Sequence, residues 1–183
     1  MLKKKLILLV LSIIAISFTG CTTSKTYINP TLGISVNYPS DWQVSDNDKN
    51  NITFNAPSNS SSSVTISLAN STTTSDPIII LEKISTASLN AGTMESVELP
   101  ELFHIKDYQV ARMQALMKKS YSFNINEEGN FEILDDDSTR ALLTSSIPLE
   151  IIAIVEGNSA IVVFVQWPHH ESQRIVESLS FTN

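Results

Sequence analysis

Cysteine occurs once in the 183 residues, at Cys21. An intrachain disulfide, a CxxC redox motif and a cysteine-based zinc site are therefore excluded. Glycine is almost as scarce. Of the five in the chain, only Gly33, Gly92, Gly129 and Gly157 lie beyond residue 20, and they are far apart. A phosphate-cradling P-loop, a dinucleotide fingerprint and a GxSxG nucleophile elbow all need glycines clustered at fixed spacings, and none can be built here. Histidine is limited to His104, His169 and His170. The last two are adjacent, so they point to different faces of any regular element. The string His170-Glu171-Ser172-Gln173-Arg174 puts arginine where the second zinc ligand of HExxH must stand, one helical turn from the first. Asp135-Asp136-Asp137 is the sharpest acidic cluster. No glycine follows to turn an EF-hand loop, and Ser146 occupies the position of its closing glutamate, so the run reads as a solvated acidic loop. No metal and no cofactor is expected.

Positive charge is also short, and a quarter of the 12 basic residues stands at the start. Lys3, Lys4 and Lys5 precede an apolar stretch from Leu6 to Phe18, broken only by Ser12 and Ser17 and closed by Thr19-Gly20-Cys21. Thirteen residues are too few for a membrane-spanning helix, which takes about 20, and suit the apolar core of an export signal. Small residues before a cysteine resemble the lipobox of secreted lipoproteins, in which the thiol is acylated (palmitate is one such chain) and the peptide bond before it is cut. Phe18 stands where an aliphatic residue is usual. Residues 1–20 are thus read as a lipoprotein signal peptide and Cys21 as the lipidated first residue of the mature chain, on the extracytoplasmic face of the cell membrane. Each buried methylene of an acyl chain contributes about 0.8 kcal/mol, so two or more chains anchor a domain durably.

Without the three signal lysines, nine Lys and Arg face 19 Asp and Glu, a net charge of −10. Such a surface repels phosphate backbones, which argues against nucleic acid as a partner. The remaining 163 residues suit one domain with a substantial core. Residues 21–28 read as a polar tether. Ile34, Val36 and Tyr38 alternate with polar residues, as a half-buried strand does. Trp42 with Val44, Ile52 with Phe54, and Val64, Ile66 and Leu68 mark further short strands between turn-forming residues. Asp76-Pro77 is an N-cap followed by proline at the first helical position, and it opens a helix from Ile78 to Asn90 that Gly92 stops. Residues 95–105 read as a strand and a loop around Pro100. A second helix is expected from Asp107 to Tyr121, on a stripe of Val110, Met113, Met117 and Tyr121, with Arg112, Lys118 and Lys119 off that stripe. Ile151–Val155 and Ile161–Val165 are nearly unbroken apolar runs joined by Glu156-Gly157-Asn158-Ser159. That pattern predicts a hairpin buried on both faces. With a third helix over about His169–Leu179, the expected architecture is α+β. It is a single-domain α/β/α sandwich, with a mainly antiparallel sheet covered by helices on both faces.

The segment Asn29-Pro30-Thr31-Leu32-Gly33-Ile34-Ser35-Val36-Asn37-Tyr38-Pro39-Ser40-Asp41-Trp42 has the shape Gly-apolar-x-apolar-x-aromatic-Pro-x-x-Trp. It resembles the start of PsbP-related proteins, a family that includes many prokaryotic surface lipoproteins with no photosynthetic role. A strand near Phe131–Leu134, an apolar hairpin and a short helix ending in Ser178-Leu179-Ser180-Phe181 continue the resemblance over residues 29–183. The stretch from Ile78 to Ile105 looks like an insertion relative to that family. The resemblance implies an α/β/α fold and a binding or assembly role, with no catalytic residues to carry over.

Asn51, Asn59 and Asn70 each begin an N-glycosylation sequon in polar sequence and are possible acceptors in a host equipped for it. The expected function is a lipid-anchored extracytoplasmic binding or assembly module without catalytic activity, with a protein partner at the cell surface. The alternatives are a cell-surface hydrolase with a dispersed site, which would draw on His169 or His170 and a perturbed carboxylate, and a small-ligand sensor with an apolar pocket between helix and sheet. Thermal unfolding of the chain from Thr22 onward is expected to be indifferent to EDTA and to micromolar calcium. Structural zinc contributes on the order of 10 kcal/mol, so a steep fall of the melting temperature on chelation would reveal a metal-dependent fold.

Overall fold

A computed structural model describes residues 23–48, 50–57, 60–69, 76–118, 121–125, 131–135, 146–157 and 159–182. The strands are β1 (Ser24–Asn29), β2 (Ile34–Pro39), β3 (Gln43–Asp48), β4 (Asn51–Asn55) and β5 (Ser63–Ala69). After helix α1 (Pro77–Asn90) come β6 (Met94–Val97), β7 (Glu101–Ile105), β8 (Tyr108–Lys118), β9 (Tyr121–Ile125) and β10 (Phe131–Asp135). Strands β11 (Ser146–Glu156) and β12 (Ser159–Gln166), helix α2 (His170–Ser178) and β13 (Ser180–Phe181) complete the order.

The large sheet has eight strands in the order β3-β4-β5-β12-β11-β8-β6, with β7 also paired to β8, and its neighbours are antiparallel. Its centre is the predicted apolar hairpin. Ile151 pairs with Phe164 and Ile152 with Val163 across a turn in which Gly157 sits at φ +59°, a backbone region that favours glycine. Side chains alternate between the faces. On one face Ile151, Ala153, Val162 and Phe164 pack with Met113, Met117, Leu81 and Ile84, under α1. On the other, Ile152, Ile154, Val163 and Val165 pack with Ile34, Val36, Trp42 and Ile175.

The second cover corrects the expected architecture. Helices do not line both faces. The face opposite α1 is closed by a small antiparallel sheet, β1-β2-β13, together with the short helix α2, and the chain is predominantly antiparallel β. The expected helix from Asp107 to Tyr121 is strand β8. From Ala111 to Lys118 burial alternates strictly, with Ala111, Met113, Ala115 and Met117 buried and the residues between them more open. Two of the buried positions are alanines, which weigh little in a hydrophobic pattern, so Val110, Met113 and Met117 imitate a helical stripe. Lys106-Asp107 is the two-residue turn between β7 and β8, not a helix cap. Lys106 adopts φ +53° there, and its ammonium donates to the carbonyls of Ser178 and Leu179 at 3.2 and 2.8 Å, closing the C-terminus of α2. The predicted tether is shorter than residues 21–28, because Ser24–Asn29 pair with β2 and the Tyr27 ring packs edge-on against Phe54 at 5.9 Å.

The first helix forms where its cap predicts. The Asp76 carboxylate accepts the Ile78 N–H at 2.9 Å, with Pro77 inside the first turn. Residues 95–105 divide into β6 and β7 on either side of Pro100.

Val163 is fully buried on one face of β12 and Phe164 almost so on the other. Val163→Asp and Phe164→Asp are each expected to unfold the domain, since an unpaired buried charge costs several kcal/mol against a total stability of about 5–15 kcal/mol. Circular dichroism melting checks this. A native melt in either variant would show that face of the hairpin to be open.

Candidate functional site

The two covers do not reach equally far along the sheet. Val110 of β8 and Ile152 of β11 lie in the core beneath α2 and the small sheet. Continuing along the same face, two residues at a time, come Arg112, Gln114 and Leu116 on β8 and Glu150 and Pro148 on β11, paired across the ladder. These line an open groove of about 510 Å³, with Ser96 and Glu98 along the β6 side and Pro168 and Gln173 at the start of α2. A smaller cavity of about 120 Å³ shares Arg112, Glu150 and Gln173 with it and runs under Phe103 toward Ile105 and Glu177.

Glu150 is the unusual member. It stands in an apolar strand, is 7% exposed, and accepts no hydrogen bond among the described residues. Among the described residues it pairs with one cation, Arg112, whose Nη1 is 3.9 Å away. Arg112 itself turns to Glu101, with Nη2 and Nε both at 2.8 Å from Oε1, and lies over the Phe103 ring at 5.1 Å. Burial pushes the Glu150 carboxyl above its usual range, and the Arg112 guanidinium offsets only part of that. Nothing in the sequence pattern singles out Arg112. The one legible signal for Glu150 was an ionisable residue inside the run from Ile147 to Val155.

His169 serves structure. His169 is the N-cap of α2, its Nδ1 accepting the N–H groups of Glu171 and Ser172 at 3.0 and 3.4 Å, while Ser172 Oγ accepts the His169 N–H in return. Its ring meets Trp42 edge-on at 5.8 Å, and the Trp42 indole donates to Glu171 at 3.4 Å. Tyr38, Pro39 and Trp42 form the expected turn and core aromatic: Trp42 N–H bonds the Pro39 carbonyl, and Tyr38 packs on Phe54 at 5.2 Å. His104 sits on β7, away from both. The space between α1 and the sheet, where an apolar ligand pocket was conceivable, is occupied by Leu81, Ile84 and their partners. Among the described residues no group of three His, Cys, Asp or Glu side chains is placed to hold a metal.

Asn51 is 5% exposed, and its Oδ1 accepts the Ser67 hydroxyl at 2.6 Å. A glycan there requires attachment before this strand packs. Asn59, Asn70, Cys21, residues 1–20, Asp136 and Asp137 lie outside the described residues, and only the backbone of Asp135 is placed, at the end of β10.

The architecture is a large antiparallel sheet with a helix on one face and a small sheet and short helix on the other. A model of the PsbP-like protein family matches residues 15–136, two thirds of the chain, and the chain belongs to that family. Among solved structures, yeast Ran-binding protein Mog1p superposes with a TM-score of 0.56 at 8% identity, over 88% of this chain and 97% of that one. Cyanobacterial PsbP (CyanoP) from Synechocystis gives 0.50 at 11% identity, over 90% and 95%. A protein of Bacteroides thetaiotaomicron gives 0.55 at 17% identity over 87% of this chain, which spans about half (48%) of that protein's length. At these identities the likeness shows the fold. No curated protein matches the chain.

The Glu150 shift has a sign that can be measured. The folded chain holds that proton more tightly than the unfolded one, so the contribution to stability is fullest below the ordinary carboxylate range. It is lost as pH rises through the elevated folded value. Glu150→Gln is expected to melt a few degrees higher than the parent near pH 7, with the gap closing toward about pH 4. An equal or lower melting temperature at pH 7 would mean that Arg112 compensates the burial completely.

Proposed function

We propose that this protein is a lipid-anchored, extracytoplasmic binding or assembly module without catalytic activity, and that the groove over β8 and β11 is its contact surface for a protein partner. The observation that carries the binding reading is the sheet face left open beyond α2. There a half-exposed Leu116, two prolines and a buried carboxyl stand beside an arginine already engaged elsewhere. Grooves of this kind, in which apolar surface stands beside placed polar and charged groups, suit recognition of a protein partner. Membership of the PsbP-like family supports the same reading, and so does the fold shared with a Ran-binding protein and with CyanoP.

The anchor rests on the sequence from Lys3 to Cys21. Because β1 begins at Ser24, Thr22 and Thr23 alone separate the acylated residue from the fold. At about 3.5 Å per extended residue the domain is held within roughly 10 Å of its lipid. Such a module meets partners in or on the same membrane, where a short tether raises the effective concentration.

Cys21→Ser is expected to move the protein out of the membrane fraction or to leave it as uncleaved precursor. Membrane retention with normal processing in that variant would rule out the lipid anchor. For the contact surface, chemical cross-linking in native membranes should yield a product that Leu116→Arg loses and Leu89→Arg keeps, Leu89 being exposed on α1. Equal loss or equal retention in the two variants would remove the groove from consideration.

A further inference from the structure

The charged groups of the groove and its side cavity are mostly of one sign. Glu98 and Glu150 line the larger space and Glu177 the smaller one, while the cation Arg112 is drawn toward Glu101 on the outer strand β7. Glu150 is more than nine-tenths buried at the floor, faces this space, and accepts no hydrogen bond among the described residues. A carboxyl in that position is largely desolvated and only loosely paired, with Arg112 Nη1 at 3.9 Å, which leaves it disposed toward a closer cation. The walls select what kind. Leu116, Pro148 and Pro168 offer apolar surface beside the carboxyl, so an alkyl stem ending in a slender ammonium is complementary where a small hydrated ion is not. A space of about 510 Å³ exceeds one such side chain and accommodates a short run of residues. We propose that this groove seats a lysine-bearing peptide segment of a protein partner, with an ammonium against Glu150 and the stem along Leu116, Pro148 and Pro168.

The inference deepens the binding reading above and rests on it. Arg112 then has a defined part: it is a resident cation that the lysine must outcompete, held off at 3.9 Å by its tighter bond to Glu101. Removing Glu150 and removing Arg112 should therefore act in opposite directions. General attraction to an acidic protein predicts the same directions but far smaller changes, and an anion site built on Arg112 predicts the reverse of both.

The test is fluorescence anisotropy on the full-length protein in uncharged detergent micelles at 0.15 M salt. The probe is a fluorescein-labelled peptide of alternating leucine and lysine, and the control replaces each lysine by glutamate. The lysine peptide should bind saturably, Glu150→Gln should weaken it at least tenfold, and Arg112→Gln should tighten it severalfold. Melting curves of both variants verify that they remain folded. One charge among the full chain's net surplus of seven changes non-specific attraction far less than tenfold, so an effect under twofold in Glu150→Gln overturns the proposal. Binding of the glutamate peptide that disappears in Arg112→Gln overturns it too, by showing an anion site. If the lysine peptide fails to bind while Leu116→Arg still abolishes the cross-linked product in membranes, the ligand chemistry is wrong and the contact surface stands. Failure of both removes the groove itself.

Discussion

Everything else in this fold answers to the double-sided burial of the β11–β12 hairpin. Ile151 to Val155 and Ile161 to Val165 put apolar side chains on both faces of a sheet centre, and neither face can meet water cheaply. At about 25 cal/mol per Å² of apolar surface, leaving one face of such a hairpin exposed would consume much of the margin by which a domain is stable. The chain therefore wraps its own sheet twice. The first wrap is a 14-residue helix whose cap is written into Asp76-Pro77. The second is assembled from opposite ends of the chain: β1 and β2 from the start, α2 and β13 from the finish. Thr182 N–H bonded to the Gly33 carbonyl at 2.7 Å joins these ends.

That long-range closure explains which parts of the fold were legible in the residues and which were not. Local chemistry spoke clearly for α1, for the strands from Ile34 to Leu68, for the hairpin and for α2. In each of these the turn residues, the cap or an uninterrupted apolar run decides the outcome over a few positions. It failed for β8, where Ala111 and Ala115 supply the buried alternation with side chains too small to register. There the ladder to β11, paired from Gln109 to Lys118, overrides a three-residue imitation of a helix. It failed also for the second cover. A small sheet formed by β1, β2 and β13 depends on pairing residues about 145 positions apart, which no local pattern encodes. The groove was opaque for the same reason. Arg112 and Glu150 are 38 positions apart in sequence and meet only through the β8–β11 register.

The mismatch between the two covers is also where binding capacity arises. A helix of 14 residues spans about 21 Å, at 1.5 Å per residue, whereas α2 with nine spans about 14 Å. The sheet beneath them is common to both faces, so the shorter cover leaves the ends of β8 and β11 open on its own side. At those ends the pattern of inward-facing residues changes from Val110 and Ile152 to Arg112, Gln114 and Glu150. The sequence thus turns polar where the cover stops, which is what a solvated face requires. Glu150 is the exception, because it remains buried. A buried carboxyl lowers stability at neutral pH, and an apolar or amide side chain in that place would fold at least as well. Retaining it is intelligible if the site is completed from outside. In that case the desolvation already imposed by the fold need not be repeated when a cation arrives, and part of what binding would otherwise cost has been met in advance by the hairpin's own stability.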